Sequence, residues 1–186
     1  MKDRKRNRMK GYDYSRDNLY FVTICVDGMV CCLGDVVDID GVGTSRDLSV
    51  HRDLSANSDF KNIPQKRMQL NKYGKIVETQ LNWLQERYDY VVVHAKIVMP
   101  NHVHAVLEID RSLVSDKAVK IKSLSGLVGA FKTTSSKLIH RADFMEYKWK
   151  RSFHDHIIKN DKSYQNIVNY IHHNPEKWED DTFNKK

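Results

Sequence analysis

Apolar and β-branched residues run from Val91 to Val98, stop at Pro100-Asn101, and resume as far as Ile109. That pattern predicts a β-hairpin with a turn at the proline. Leu19 to Val26 (LYFVTICV) and Ser152 to Lys159 (SFHDHIIK) have strand-like composition. Three stretches have helical spacing instead. Asn71 can cap a helix in which Tyr73, Val77, Leu81, Leu84 and Tyr88 recur three or four apart, and Ser123 can cap a second with Leu124, Leu127, Val128, Phe131, Leu138 and Ile139. A third runs from Lys162 to about His173, with Tyr164, Ile167, Val168 and Ile171 in one stripe. It ends at Asn174-Pro175 because a residue before proline resists the α conformation.

The resulting order is strand, helix, strand, strand, helix, strand, helix. Apart from the last helix, this is the split β-α-β pattern of an α+β, ferredoxin-like fold, an antiparallel sheet with helices on one face. The stretch from about 38 to 64 is polar, rich in Gly, Ser, Asp and Asn, and lacks periodicity, so it reads as an inserted loop. A chain of 186 residues suits one domain. The expected layout is a basic N-terminal arm (1–18), a single domain (19–178) and a polar tail (179–186).

Charge narrows the class of partner. The formal net charge is +7, and six of the first ten residues are Lys or Arg: Lys2, Arg4, Lys5, Arg6, Arg8 and Lys10. Such a bias favours a polyanion, nucleic acid first, although a solvated arm has the same composition. The arm leads into no apolar signal core, and no apolar run approaches the roughly 20 residues that span a bilayer. The expectation is a cytoplasmic protein without a membrane partner. Cys25, Cys31 and Cys32 lack zinc-site spacing and are expected to be reduced.

The candidate chemistry lies at the hairpin. Alternation on a strand sends His102 and His104 to one face and Val103, Ala105, Leu107 and Ile109 to the other. Two imidazoles so placed suit a divalent cation, and equally suit the open polar face of an antiparallel strand. On the third helix Tyr170 falls off the apolar stripe, sharing a flank with Asn166 and Asn174. It can be a half-buried aromatic, or it can bring a nucleophile and, with Asn174, an oxygen ligand to the histidine face. His154 and His156 form a second alternate pair, with Asp155 opposed, and their role is open. His172 and His173 point away from Asn174.

MPNHVH before an apolar strand, YDYS and YFVTICV near the N-terminus, FHDHIIKN, and YIHHNPEKW near the C-terminus resemble the REP-associated tyrosine transposases. These are single-tyrosine members of the HUH endonuclease superfamily. The resemblance runs from about Gly11 to about Trp178 and fails over the polar loop. It implies that His102, His104 and Asn174 bind Mg²⁺ or Mn²⁺, and that Tyr170 attacks DNA. It also implies a single-stranded or hairpin DNA partner, met by the basic arm with Tyr12 and Tyr14 supplying stacking surfaces. The expected activity is DNA cutting and rejoining through a 5′-phosphotyrosine, with monomer and homodimer both open. Two rivals remain: a protein that grips DNA hairpins without cutting them, and a metal-dependent hydrolase using the two histidines.

Overall fold

The computed structural model describes residues 11–39, 66–116 and 118–184. Along the chain lie β1 (Asn18–Cys25), β2 (Gly34–Asp38), β3 (Lys66–Leu70), α1 (Lys72–Arg87), β4 (Val91–Val98), β5 (His102–Ile109), α2 (Leu124–Arg141), β6 (His154–Ile158) and α3 (Asp161–His172). A 3-10 segment, Pro175–Asp180, follows α3. The main sheet has the order β4-β5-β1-β6, with every neighbouring pair antiparallel. Helices α1 and α2 each cross between parallel strands separated by one strand, which is the ferredoxin-like arrangement expected from the element order.

The two faces of the sheet carry different loads. Tyr20, Val22 and Ile24 of β1, with Val103, Ala105, Leu107 and Ile109 of β5, pack against Val77, Leu81 and Leu84 of α1 and Leu127, Val128 and Phe131 of α2. Burying side chains of this size yields roughly 1.5–3 kcal/mol each against exposure. This face therefore holds the main core. On the other face, α3 covers Ala95, Val106 and Ile158 with Ile171, joined by Tyr164, Ile167 and Val168.

Each helix start is fixed by the capping residue that its sequence offers. The Asn71 side chain accepts from the N–H groups of Tyr73 (2.9 Å) and Gly74 (3.0 Å). Ser123 accepts from Gly126 N–H at 3.3 Å, and Asn160 from Ser163 N–H at 2.9 Å. At Gly74 an added Cβ would sit 2.0 Å from the Leu33 carbonyl oxygen, so the first turn of α1 can approach that loop only without a side chain.

The structure departs from the sequence expectation in three places. Gly34–Asp38 pairs with Lys66–Leu70 as a two-stranded antiparallel ribbon that the pattern does not predict. The polar stretch at 38–64 is thus rooted on a hairpin, and residues 40–65 lie outside the described residues. The N-terminal arm is not uniformly free: from Gly11 onward it folds on the domain, Arg111 donating to the Ser15 carbonyl oxygen at 2.7 Å and pairing with Asp17 at 3.4 Å. Residues 179–184 of the expected polar tail likewise fold back, bringing the Phe183 ring 4.7 Å from that of His102. Among the described residues no helix is long and apolar enough to cross a membrane.

Candidate metal and tyrosine site

Strand alternation puts His102 and His104 on the α3 face of β5, and the hairpin turn places them at the end of the sheet where α3 finishes. With helices expected on one face of the sheet only, both would lie on an open face. Instead they are 0 % and 1 % exposed, because α3 and the segment after it cover them. Burial holds both imidazoles neutral, with the His102 pKa pushed down to about 2, helped by its histidine neighbour, and that of His104 down to about 3.

The turn residue Asn101 sets the state of His102. Its Nδ2 donates to the carbonyl oxygens of Met29 (3.0 Å) and Phe183 (2.8 Å). Its Oδ1 therefore faces the ring and accepts from His102 Nδ1 at 2.9 Å. The single ring proton sits on Nδ1, leaving a bare lone pair on Nε2. Thr23, directly opposite His104 on β1, places its hydroxyl 2.9 Å from His104 Nδ1. The two Nε2 atoms then face each other at 3.1 Å.

That separation subtends roughly 95° at a cation bonded to each nitrogen at about 2.1 Å, close to two adjacent corners of an octahedron. With the Thr23 hydroxyl accepting, both Nε2 atoms are bare and a cation between them relieves the opposed lone pairs. Among the described residues no three His, Cys, Asp or Glu side chains converge to hold a metal. The Asn174 amide, beside the Tyr170 hydroxyl, could supply a donor of another type. It is 0 % exposed, and neither its Oδ1 nor its Nδ2 makes a hydrogen bond of normal geometry. A buried amide left unsatisfied costs about 1–3 kcal/mol, which is recovered when its oxygen gains a ligand to bind. The donor set of two neutral imidazoles and one amide oxygen fits a hard divalent ion.

Tyr170 reaches the same point from α3. Its hydroxyl lies 3.3 Å from His104 Nε2, and its ring stands edge-on to His104 (centroids 5.2 Å) and to Phe21 (6.1 Å). Tyr170 as a residue is 37 % exposed, in keeping with its place off the apolar stripe. Burial pushes the phenol pKa up, the Asp181 carboxylate adds to the rise, and the nearby Asn174 amide opposes it. At neutral pH the hydroxyl keeps its proton. The start of α3 is held to the sheet elsewhere, by Tyr164, whose hydroxyl is 3.3 Å from His94 Nδ1 while His94 Nε2 is 2.7 Å from Glu108.

Four residues of the site carry no signal that sequence reasoning used for it: Asn101, Thr23, Asp181 and Phe183. The Phe183 ring lies 4.7 Å from that of His102, and Trp178 lies 6.1 Å from it on the same segment. Together they cover the His102 ring. An apolar Phe two residues before the charged end was the available hint, hidden by the polar residues around it.

The remaining sequence candidates fall elsewhere. His154 and His156 share the sheet face of His104, opposite Thr23 and Phe21 on β1. They are exposed, and two strand spacings put His154 about 10 Å from His104. His172 is exposed, and His173 Nδ1 lies 2.9 Å from the Asn169 carbonyl oxygen. Tyr14 packs into the core, 5.9 Å from Tyr20, so its ring keeps no open face for a base. Tyr12 is half-buried and accepts from Asn18 Nδ2 at 2.8 Å. Lys2, Arg4, Lys5, Arg6, Arg8 and Lys10 lie outside the described residues. The three cysteines are free, Cys25 buried and Cys31 exposed.

An α+β, ferredoxin-like sheet with two buried histidines on one strand and a tyrosine on a helix laid across them defines the class of fold. A solved structure of the same fold is that of a REP-associated tyrosine transposase bound to a REP hairpin. It superimposes with a TM-score of 0.51 over 95 % of this chain and 74 % of that one, at 17 % identity. No family model matches the chain. An uncharacterized protein of Haemophilus influenzae is 24 % identical over 191 residues, covering 96 % of this chain and 91 % of the relative.

Proposed function

We propose that the chain is a metal-dependent DNA transposase that cuts and rejoins single-stranded or hairpin DNA through a covalent tyrosine intermediate. The observation that carries the reading is the Tyr170 hydroxyl 3.3 Å from His104 Nε2, itself 3.1 Å from His102 Nε2. A nucleophile and a pair of neutral nitrogen ligands meet there from positions 66 residues apart in the chain. The shared fold with a transposase bound to a REP hairpin and the net charge of +7 support DNA as the substrate.

In this reading His102, His104 and Asn174 hold Mg²⁺ or Mn²⁺, which supplies Lewis-acid stabilisation of charge on the scissile phosphate. Asn101 fixes the His102 tautomer, and the Thr23 hydroxyl, able to accept from His104 Nδ1, orients the second ring so that both Nε2 atoms point to one place. Phe183 and Trp178 keep the ligands dry. Tyr170 supplies the nucleophile: its oxygen forms a bond to phosphorus, the bond from phosphorus to the 3′ oxygen breaks, and the phenol proton given up is matched by one gained at the 3′-hydroxyl. The 5′-phosphotyrosine conserves the ester, and a second 3′-hydroxyl reverses the step without ATP. Incubating the protein with labelled single-stranded hairpins and Mn²⁺ tests this. A denaturation-resistant protein-DNA adduct is expected, and cutting without an adduct favours a hydrolase.

A further inference from the structure

The opposite end of the sheet carries a different assembly of charge and aromatic surface. Between the end of α1 and the segment leading into α2 lies a cleft of about 290 Å³, lined by Arg87, Tyr88, Val119, Lys120 and Lys122 among others. Seven residue steps along β5 separate this end from His102, or about 23 Å. The cleft is thus remote from the metal ligands.

Its centre is the Tyr88 ring. The Arg87 guanidinium carbon stands 5.6 Å from the ring centroid and Lys122 Nζ 6.0 Å. Trp83 and Tyr90 brace the ring, with centroids at 6.0 and 5.8 Å. The wall is fixed as well: the Lys122 backbone N–H donates to the Tyr90 hydroxyl at 3.0 Å. The Lys122 stem lies against α2 at Gly126, where an added Cβ would come within 3.3 Å of it. Arg87, Lys120 and Lys122 are exposed, and none makes an ion pair with a described residue. Asp89 is the one acidic side chain in the lining. Val119, 40 % exposed, adds an apolar patch beside them.

Two cations beside the half-buried Tyr88 ring, with Lys120 lining the same cleft, call for a ligand that is flat on one side and anionic on the other. A nucleotide of a single strand has that form, its base stacking on the ring and its phosphates meeting the cations. A duplex hides its base faces, and an acidic peptide has no plane to offer Tyr88. We propose that this cleft is a second nucleic-acid binding site that takes one or two nucleotides of single-stranded DNA, with the base on Tyr88 and the phosphates on Lys120, Lys122 and Arg87. The proposal rests on DNA being the substrate.

The test measures binding of labelled oligo(dT) of 20 nucleotides and of a blunt 20-base-pair duplex by fluorescence anisotropy over a salt series. Wild type is compared with Lys120→Gln/Lys122→Gln, whose side chains are exposed, and with Tyr88→Leu. Single-strand affinity should fall about tenfold in each, with duplex affinity unchanged within twofold. The double variant should also flatten the salt slope by about 1.4, because each phosphate that goes unneutralised removes about 0.7. Adduct formation on saturating hairpin substrate should persist, since neither change touches the metal and tyrosine site. If Tyr88→Leu unfolds, the double lysine variant carries the test alone. Single-strand affinity within twofold of wild type, or equal losses for strand and duplex, overturns the proposal while leaving the DNA reading intact. A wild-type protein that neither binds oligo(dT) nor forms an adduct removes both.

Discussion

The Nε2 atoms of His102 and His104 face each other at 3.1 Å, each ring held from behind through Nδ1, by Asn101 in one case and by Thr23 in the other. Two neutral imidazoles held in this way would offer a cation the pair of nitrogen donors that the proposed function requires, at a separation set before any ion arrives. Replacing either ring by Ala should abolish the Mn²⁺-dependent rise in melting temperature. It should also cost about 1–3 kcal/mol of metal-free stability, because Asn101 Oδ1 or the Thr23 hydroxyl is left buried without its partner. Calorimetry with and without Mn²⁺ reads both effects. The same change at the exposed His156 should move neither by more than about 0.5 kcal/mol.

Acid should unfold the protein through these same rings. Their folded pKa values of about 2 and 3 lie below the ordinary 6.5, so below pH 6.5 the unfolded chain binds protons that the folded chain does not. Stability is then unaffected above pH 6.5 and is lost as pH falls toward 3. The loss is up to about 1.4 kcal/mol per pH unit for each ring. Urea unfolding at pH 7, 6 and 5 should show the loss, and His102→Gln should remove about half of the slope. Equal stability at pH 7 and pH 5 would mean the rings are not held neutral.

Asn174 separates a ligand from a structural amide. Its side chain is buried with neither polar atom in a normal hydrogen bond, so Asn174→Leu should leave metal-free stability unchanged or raise it by roughly 1 kcal/mol. The stabilisation given by Mn²⁺ should shrink, and DNA cutting should fall by a graded amount that added Mn²⁺ partly restores. A large loss of metal-free stability would assign the amide a packing role instead.

Much of this arrangement is legible in the sequence. Strand alternation around His102 and His104 separates the histidine face from the core face, the helical stripe of Tyr164, Ile167, Val168 and Ile171 leaves Tyr170 to one side, and α3 ends at His172, near the expected stop. The expected reason for that stop does not hold, because Asn174 keeps α dihedrals (φ −60°, ψ −39°) and Pro175 opens a 3-10 segment. The pairing of Gly34–Asp38 with Lys66–Leu70 is not legible, because its partners are 28 residues or more apart and Lys66–Leu70 contains no β-branched residue. Nor is the burial of the histidines. It depends on the return of Phe183 across the sheet, 81 residues beyond His102, which no local period encodes.

The closure by Phe183 is itself testable. Its ring lies 4.7 Å from that of His102, and its carbonyl oxygen accepts from Asn101. Phe183→Ala should expose His102 to diethyl pyrocarbonate, read as faster modification by mass spectrometry, while leaving the main core on the other sheet face in place. An unchanged rate would mean that α3 alone shields the ring.

Tyr170→Phe is the most direct measurement. It removes one oxygen, the atom 3.3 Å from His104 Nε2, and leaves the ring packing against Phe21 and His104, the metal ligands and the basic surface in place. Incubated with labelled hairpin DNA and Mn²⁺ and run on a denaturing gel, wild type should yield a covalent protein-DNA band and a cut strand. Tyr170→Phe should yield neither while binding the hairpin within a few-fold of wild type. A Tyr170→Phe protein that still forms the covalent band, or still cuts, would contradict the assignment of Tyr170 as the nucleophile.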